Sequence, residues 1–166
     1  MLSMKLKLAL AGGAVALVAA AAPAAHAQTG TDPNAFAKFR SQLVRVDRST
    51  AVLKVTYQCS HGTTLWISAK QLANGKRSAK LAQEGSSKVA KTWLQSHRNP
   101  ITCDGHSQTA VFTLDKVEPG SKGRLKAKGR HNAGKAYIQF CVTTPPADSS
   151  QEGELVLSQD GFVSVR

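Results

Sequence analysis

Alternating apolar and polar side chains over residues 51–72 predict two β-strands. From Ala51 to Cys59 every second residue is apolar, and most of the residues between them are polar. A period of two is typical of a strand that has one face in the core. The pattern breaks at Ser60-His61-Gly62, where glycine can supply a positive φ, and it resumes from Leu65 to Lys70. We therefore predict a hairpin to which the other strands are added.

The same pattern recurs between turn signals along the rest of the chain. Further strands are predicted at 43–47, 110–115, 123–130 and 136–144. Glu154–Ser158 and Phe162–Arg166 flank Asp160-Gly161, a dipeptide typical of hairpin turns, and predict a closing hairpin. About 7–9 short strands with regular turns indicate an all-β, antiparallel, immunoglobulin-like sandwich with room for one short helix.

Two segments allow alternative interpretations. Residues 35–42 fit either one helical turn with both phenylalanines on one side or an extended arm that packs the two rings onto the domain. Between 74 and 99, the apolar residues from Val89 to Leu94 fit a short amphipathic helix. Alternation from Val89 to Gln95 also fits a strand, which the β surroundings favour. Helix and strand both stay open here.

The first 27 residues predict a secretory signal peptide. Lys5 and Lys7 precede an uncharged run over 8–22, and Ala25-His26-Ala27 has the small residues that signal peptidase requires. We predict cleavage after Ala27, a flexible N-terminal arm over 28–42 and a β-sandwich domain over 43–166. The predicted location is secreted or extracellular, with no transmembrane segment after signal removal.

A strongly basic composition sets the class of partner. The chain has 22 Lys and Arg against 10 Asp and Glu, a net charge of +12, and removing the two signal-peptide lysines leaves about +10. Five cations recur at every second position: Lys122, Arg124, Lys126, Lys128 and Arg130. On a strand they project from one face over about 27 Å and suit a polyanion. A solvated outer face, or an edge strand protected from aggregation, is the plainer interpretation.

Three cysteines in an exported chain predict one disulfide and one unpaired thiol. Cys59 and Cys103 both lie at strand–turn junctions, and we predict that they pair. Their separation of 44 positions corresponds to about 4 kcal/mol in the chain-entropy treatment. Cys141 lies on the strand face opposite Ile138 and Phe140, and it is predicted as a free thiol or a link to a second chain.

Few residues suggest catalysis or metal binding. The histidines at 61, 97, 106 and 131 are scattered, without metal-ligand spacing, and no cofactor motif is present. No nucleophile motif or carboxylate pair indicates an enzyme, so no catalytic residue is predicted. Trp66 and Trp93 suit either a ligand cleft or the core. The core is favoured, with one ring on the disulfide and the other at the core edge.

Three stretches carry a resemblance to a known group of proteins. They are Val55-Thr56-Tyr57-Gln58-Cys59, residues 64–71 and Thr102-Cys103-Asp104-Gly105. Together they resemble the small secreted immunoglobulin-like proteins of high-GC Gram-positive bacteria. The resemblance implies a signal peptide, an all-β domain and a disulfide between the two cysteine motifs, mostly without an assigned activity. Cys141 and the longer, more basic 74–99 segment depart from the pattern.

The leading functional hypothesis is a secreted, non-enzymatic, surface-associated module that binds an anionic envelope polymer or polysaccharide through residues 122–130. A carrier of a small ligand in an aromatic cleft at Trp66 or Trp93 is one alternative. A structural protein that self-associates as a Cys141-linked dimer is another. Specific nucleic-acid recognition is not expected, because few aromatic residues are available to stack on bases.

Overall fold

The computed structural model describes residues 30–40, 42–83, 85–96, 99–127, 134–148 and 153–166. The strands in chain order are β1 (Phe36–Phe39), β2 (Val44–Arg45), β3 (Ala51–Gln58), β4 (Thr64–Gln71), β5 (Thr92–Gln95), β6 (Asn99–Pro100), β7 (Gln108–Leu114), β8 (Lys116–Val117), β9 (Lys135–Thr143) and β10 (Leu155–Ser164). Two short 3-10 turns, Ala79–Leu81 and Ser86–Lys88, are the helical elements of the described residues. The predicted fold class is confirmed: an all-β immunoglobulin-like sandwich of antiparallel sheets with one disulfide.

The strands form two sheets. In the first, β3 pairs with β7 along one edge and with β1 and β2 along the other. The second has the order β10-β9-β4-β5-β8, with β6 also paired to β4. Near the end of β10, Leu43 and Val165 form a parallel bridge, and the Arg166 amide donates to the Leu43 carbonyl at 3.0 Å.

The apolar faces of the two sheets meet in one core. Leu53 and Val55 of β3 and Leu65 and Ile67 of β4 are fully buried, as the alternation over 51–72 predicts. A cluster of three rings joins the sheets: Tyr57, Phe112 and Phe140, with centroids 5.7 to 6.0 Å apart. Burial of these faces is the main favourable free energy of folding.

The predicted hairpin over 51–72 is wrong. β3 and β4 lie in different sheets, and residues 59–63 cross from one sheet to the other. Gly62 has φ +105°, and a Cβ at this position would lie 2.8 Å from Cγ1 of Val142. Alternation shows only that one face of each strand is buried in the core, and this is so whether the two strands pair in one sheet or lie in facing sheets. The pattern therefore locates both strands without specifying that they pair.

The predicted closing hairpin at Asp160-Gly161 is also wrong. β10 runs uninterrupted through both residues, which lie opposite Gln139 and Ile138 of β9. A long β9 is thereby paired along its whole length, and this outweighs the local turn preference. A Cβ at Gly161 would lie 3.5 Å from the Phe39 ring, a close approach typical of glycine inside a strand.

Part of each segment with alternative interpretations, 35–42 and 74–99, forms a strand. Phe36–Phe39 forms β1, so this part of the predicted arm belongs to the sheet, and the Thr31 amide donates to the Leu155 carbonyl at 3.1 Å. Between 74 and 99 the chain makes the two 3-10 turns and then β5, so the strand alternative is correct for Thr92–Gln95. The predicted signal peptide lies outside the described residues. Within them, no helix has the length and hydropathy needed to cross a membrane.

The disulfide between Cys59 and Cys103 is confirmed. It links the end of β3 to the loop before β7, and the Gly105 amide donates to the Cys59 carbonyl at 2.9 Å. Cys59 is buried, whereas Cys103 is partly buried at the edge of the core. The bridge therefore holds the crossover between the sheets against the first sheet.

Candidate functional site

The strand predicted over Gly123–Arg130 is wrong for its described part, residues 123–127, which continue from Lys122 without forming a strand. This segment is extended but has no strand partner, because side chains replace the ladder. The Gln71 side chain accepts from the Lys126 amide at 2.7 Å and donates to its carbonyl at 3.0 Å. The Thr92 hydroxyl donates to the Arg124 carbonyl at 2.9 Å. Lys128 and Arg130 lie outside the described residues.

The predicted alternation of side chains nevertheless holds in this segment. Lys122, Arg124 and Lys126 are exposed, while Leu125 between them is 1% exposed and belongs to the core. An extended main chain keeps a period of two without a sheet partner. Leu125 thereby anchors the segment and holds the three cations on the solvent side.

A groove of about 570 Å³ follows this segment along the ends of β4 and β5. Basic side chains from three parts of the chain line it: Arg45, Lys91, Lys122, Arg124 and Lys126. Leu72 and Ala127, which are partly exposed, contribute apolar surface. No acidic residue lines the groove among the described residues, so its potential is positive throughout. We call it the basic groove.

Arg45 and Lys91 are the residues that the sequence pattern misses. The Arg45 guanidinium donates to the Leu125 carbonyl at 3.1 Å, and the Lys122 amide donates to the Lys91 carbonyl at 2.8 Å. Both residues are brought to the groove by tertiary packing, far from 122–130 in sequence. Within the described chain, none of the five groove cations has a carboxylate at salt-bridge distance, so their charges are not neutralised by an ion pair there.

A second groove of about 320 Å³ adjoins the first and shares Arg45 and Arg124 with it. Arg48 adds another cation there, and Asp47 is the acidic residue. The Asp47 carboxylate already accepts from the Ser49 and Thr50 amides at 2.7 and 2.8 Å. These bonds, that of Ser49 first, lower the pKa of Asp47. The two grooves together form a basic track longer than either one.

The two tryptophans lie outside the core, so the prediction that they pack on the disulfide and the core edge is wrong. Both are half-buried on the outer face of the second sheet, where they line a groove of about 380 Å³. Trp66 Nε1 donates to Gln95 Oε1 at 2.8 Å, and Lys70 Nζ lies 4.3 Å from the centroid of the Trp93 ring. We call this the tryptophan groove.

Cys141 is a free thiol on the same outer face, directly opposite Trp66 in the ladder. The predicted strand face is confirmed. Its Sγ lies 3.6 Å from Ser158 Oγ. Burial raises the pKa of the Cys141 thiol, and burial lowers the pKa of nearby Lys70, whose Nζ donates to Ser86 Oγ at 2.8 Å. A thiol with a raised pKa is a poor nucleophile at neutral pH.

The histidines provide no metal site in the part of the chain that the structure describes. His61 and His106 are exposed, and each contacts a neighbour close in sequence: Ser60 Oγ at 2.9 Å and Asp104 Oδ1 at 3.6 Å. His97 and His131 lie outside the described residues. Against known proteins, no family model, curated protein or solved structure matches the chain, so the functional inference rests on the geometry above.

Proposed function

We propose that this protein is a secreted, non-enzymatic binding module that holds an anionic polymer of the cell envelope in the basic groove. The observation that carries the proposal is the set of five cations, from three separate parts of the chain, around a groove without an acidic residue among those described. Secretion through the predicted signal peptide at 1–27 places the module where such polymers occur.

Hydrogen bonds to the main chain of the cationic segment favour a defined binding site over a diffuse charged surface. Side chains of Arg45, Gln71 and Thr92 bind the main chain of residues 124–126, so the main-chain positions that carry Arg124 and Lys126 are held before a ligand arrives. A preorganised site loses less conformational entropy on binding than flexible surface lysines do. The adjoining groove with Arg48 extends the track, which suits a polymer better than a single anion.

The shape of the groove also indicates the kind of polyanion. Apolar surface from Leu72 and Ala127 lies beside the cations and suits a chain that carries CH groups between its charges, such as a polyol phosphate or an acidic polysaccharide. No aromatic ring lines the basic groove among the described residues, so stacking on nucleic-acid bases has no support there.

The test measures binding of the purified protein to teichoic acid, heparin and duplex DNA across a salt series. A groove variant, Arg124→Glu with Lys126→Glu, is compared with a matched control, Lys54→Glu with Lys80→Glu, which makes the same charge change at exposed positions elsewhere. We expect the groove variant to lose at least about tenfold in affinity for teichoic acid and to reduce the salt dependence, with a smaller loss in the control.

Two results would contradict the proposal. Equal losses in the groove and control variants would mean that net charge alone drives binding. Loss of all binding by the parent protein at about 0.15 M salt would mean the same. The secretion part is checked separately by mass spectrometry of the exported protein, for which we expect an N-terminus at Gln28.

A further inference from the structure

We propose that the tryptophan groove is a second binding site, for a neutral ligand rich in hydroxyl groups such as a sugar ring. It is independent of the basic groove because it lies on the other side of the second sheet. Consecutive residues divide between the two: Lys70 and Trp93 line the tryptophan groove, whereas Gln71 and Thr92 line the basic groove. Nothing in the proposed binding of an anionic polymer requires it.

The strand register places side chains in three rows across this face. From β4 to β10 the first row is Trp66, Cys141 and Ser158. From β5 to β10 the second row is Gln95, Ser68, Gln139 and Asp160. The third row is Trp93, Lys70, Tyr137 and Phe162. A fully polar row therefore lies between two rows that each carry an indole ring.

The segment with the two 3-10 turns covers only part of this face. Leu81 is fully buried and forms a small second core with Ala90 and Tyr137, with Phe162 packed against it. Toward β4 and β5 the cover is incomplete, and the tryptophan groove remains between the strands and Ala82, Gly85 and Ser86. The loop thus forms one wall of a site whose floor is the sheet.

Hydrogen bonds hold the walls of the groove in fixed orientations. The Trp66 indole donates to Gln95, whose amide in turn donates to the Glu118 carboxylate. Lys70 is 5% exposed, held by Ser86 and by the Trp93 ring. These side chains point away from the main core, so the core does not require their order. An aromatic side chain held in a fixed orientation beside polar groups is suited to binding a sugar ring.

Three polar atoms at this face indicate what the ligand offers. Trp93 Nε1, Gln139 Oε1 and Ser68 Oγ are buried and have no hydrogen-bond partner among the described residues. Trp93 and Gln139 line the groove, and Ser68 is fully buried beside them in the polar row. Unpaired buried polar atoms cost free energy, so a ligand in the groove gains by pairing the two that belong to lining residues, those of Trp93 and Gln139.

The unpaired atoms also select between ligand classes. Trp93 Nε1 requires an acceptor and Gln139 Oε1 requires a donor, while Ser68 Oγ serves as either. A carboxylate has no proton for Gln139, and an ammonium group has no lone pair for Trp93. An apolar ligand would leave the atoms of Trp93 and Gln139 unpaired. Hydroxyl groups donate and accept at once, and the CH face of a sugar ring suits the Trp66 indole.

Fluorescence tests the inference directly, because the two tryptophans of the chain both line the groove. Cellotetraose and the tetramer of N-acetylglucosamine are titrated into the purified protein. We expect a saturable change in emission with at least one of them. Trp66→Ala and Gln139→Leu should each weaken that binding at least about tenfold, whereas Arg124→Glu in the basic groove should leave it unchanged.

The outcomes that overturn the inference are separate from those of the polymer experiment. No saturable change with either oligosaccharide up to about 10 mM, near the weak limit for a specific site, would refute it. Unchanged affinity in both Trp66→Ala and Gln139→Leu would also refute it. Near-UV circular dichroism confirms that each variant is folded. Gln139→Leu carries the test if Trp66→Ala fails to fold, because Gln139 lies outside the main core.

Discussion

Asp32 ties the N-terminal stretch to the crossover between the sheets, and we predict that this contact controls part of the acid stability. The carboxylate is 7% exposed. Its Oδ2 accepts from the amide and the hydroxyl of Ser60, both at 2.7 Å, and its Oδ1 accepts from the Asn34 amide at 3.0 Å. The hydrogen bond from the Ser60 side chain is the main cause that lowers the pKa of Asp32, and burial offsets it in part.

The perturbation is Asp32→Asn, which keeps the shape and removes the charge. A hydrogen bond to a charged group contributes about 1.5–3 kcal/mol. The asparagine oxygen can keep the two bonds from Ser60 as neutral ones, whereas the bond from the Asn34 amide is lost. We therefore expect a loss of about 2–3 kcal/mol in the free energy of unfolding at about pH 7. Because the folded pKa is lowered, this stability is fully present above the unfolded value of 3.8 and is lost as pH falls through the folded value.

The assay is urea unfolding of the parent protein and Asp32→Asn at about pH 7, 4, 3 and 2. The difference between the two proteins isolates Asp32, because other carboxylates titrate in both. We expect a large difference at about pH 7 and 4 and a shrinking one below, as the Asp32 carboxylate becomes protonated. A difference that stays constant down to about pH 2 would refute the reasoning, since the contribution would then not depend on the charge.

Three further predictions concern the disulfide, the crossover and the free thiol. Replacing Cys59 and Cys103 by serine removes the cross-link that closes a loop of 44 positions. We expect the free energy of unfolding, measured with a chemical denaturant, to fall by about 4 kcal/mol. A loss under about 1 kcal/mol would contradict this. Gly62→Ala should destabilise by about 1–3 kcal/mol more than Gly120→Ala in thermal unfolding. Both positions have positive φ, but a Cβ meets a neighbouring side chain only at the first. Equal effects would show that the close approach is unimportant. Cys141 should react with iodoacetamide at about pH 8 at least about tenfold more slowly in the folded protein than in urea, because burial raises its pKa. Equal rates in the folded protein and in urea would mean that the thiol is exposed to solvent, against the prediction.

Local sequence pattern predicts the class of fold well and its connections poorly. Alternation identifies β3, β4, β7 and β9 because each buries one face, and cysteines at strand ends indicate the disulfide. The errors at Ser60-His61-Gly62 and Asp160-Gly161 have one cause. A turn signal reports what the main chain can do locally, whereas the partner of a strand is decided by the whole sandwich. At Asp160-Gly161 the length of β9 overrides the turn.

In the candidate sites, too, local pattern predicts some residues, whereas others depend on the tertiary fold. Lys122, Arg124 and Lys126 were predictable because alternation survives in an extended segment that has no strand partner. Arg45 and Lys91 were not, because only tertiary packing brings them to the basic groove. The cleft at Trp66 and Trp93 was the less favoured of two interpretations for a different reason. Large aromatic side chains usually pack in the core, and the covering loop over 79–90 has no periodic pattern that predicts where it lies.

The parallel bridge between Leu43 and Val165 has a consequence for how the chain folds. Its two residues lie about 120 positions apart, so this contact forms only after the chain between them is available. Folds dominated by such distant contacts reach the native state in about milliseconds to seconds, slowly for their size. Before β10 arrives, β9 presents an unpaired edge, which invites association with other chains. We therefore expect the yield of native protein on refolding to fall as the protein concentration rises.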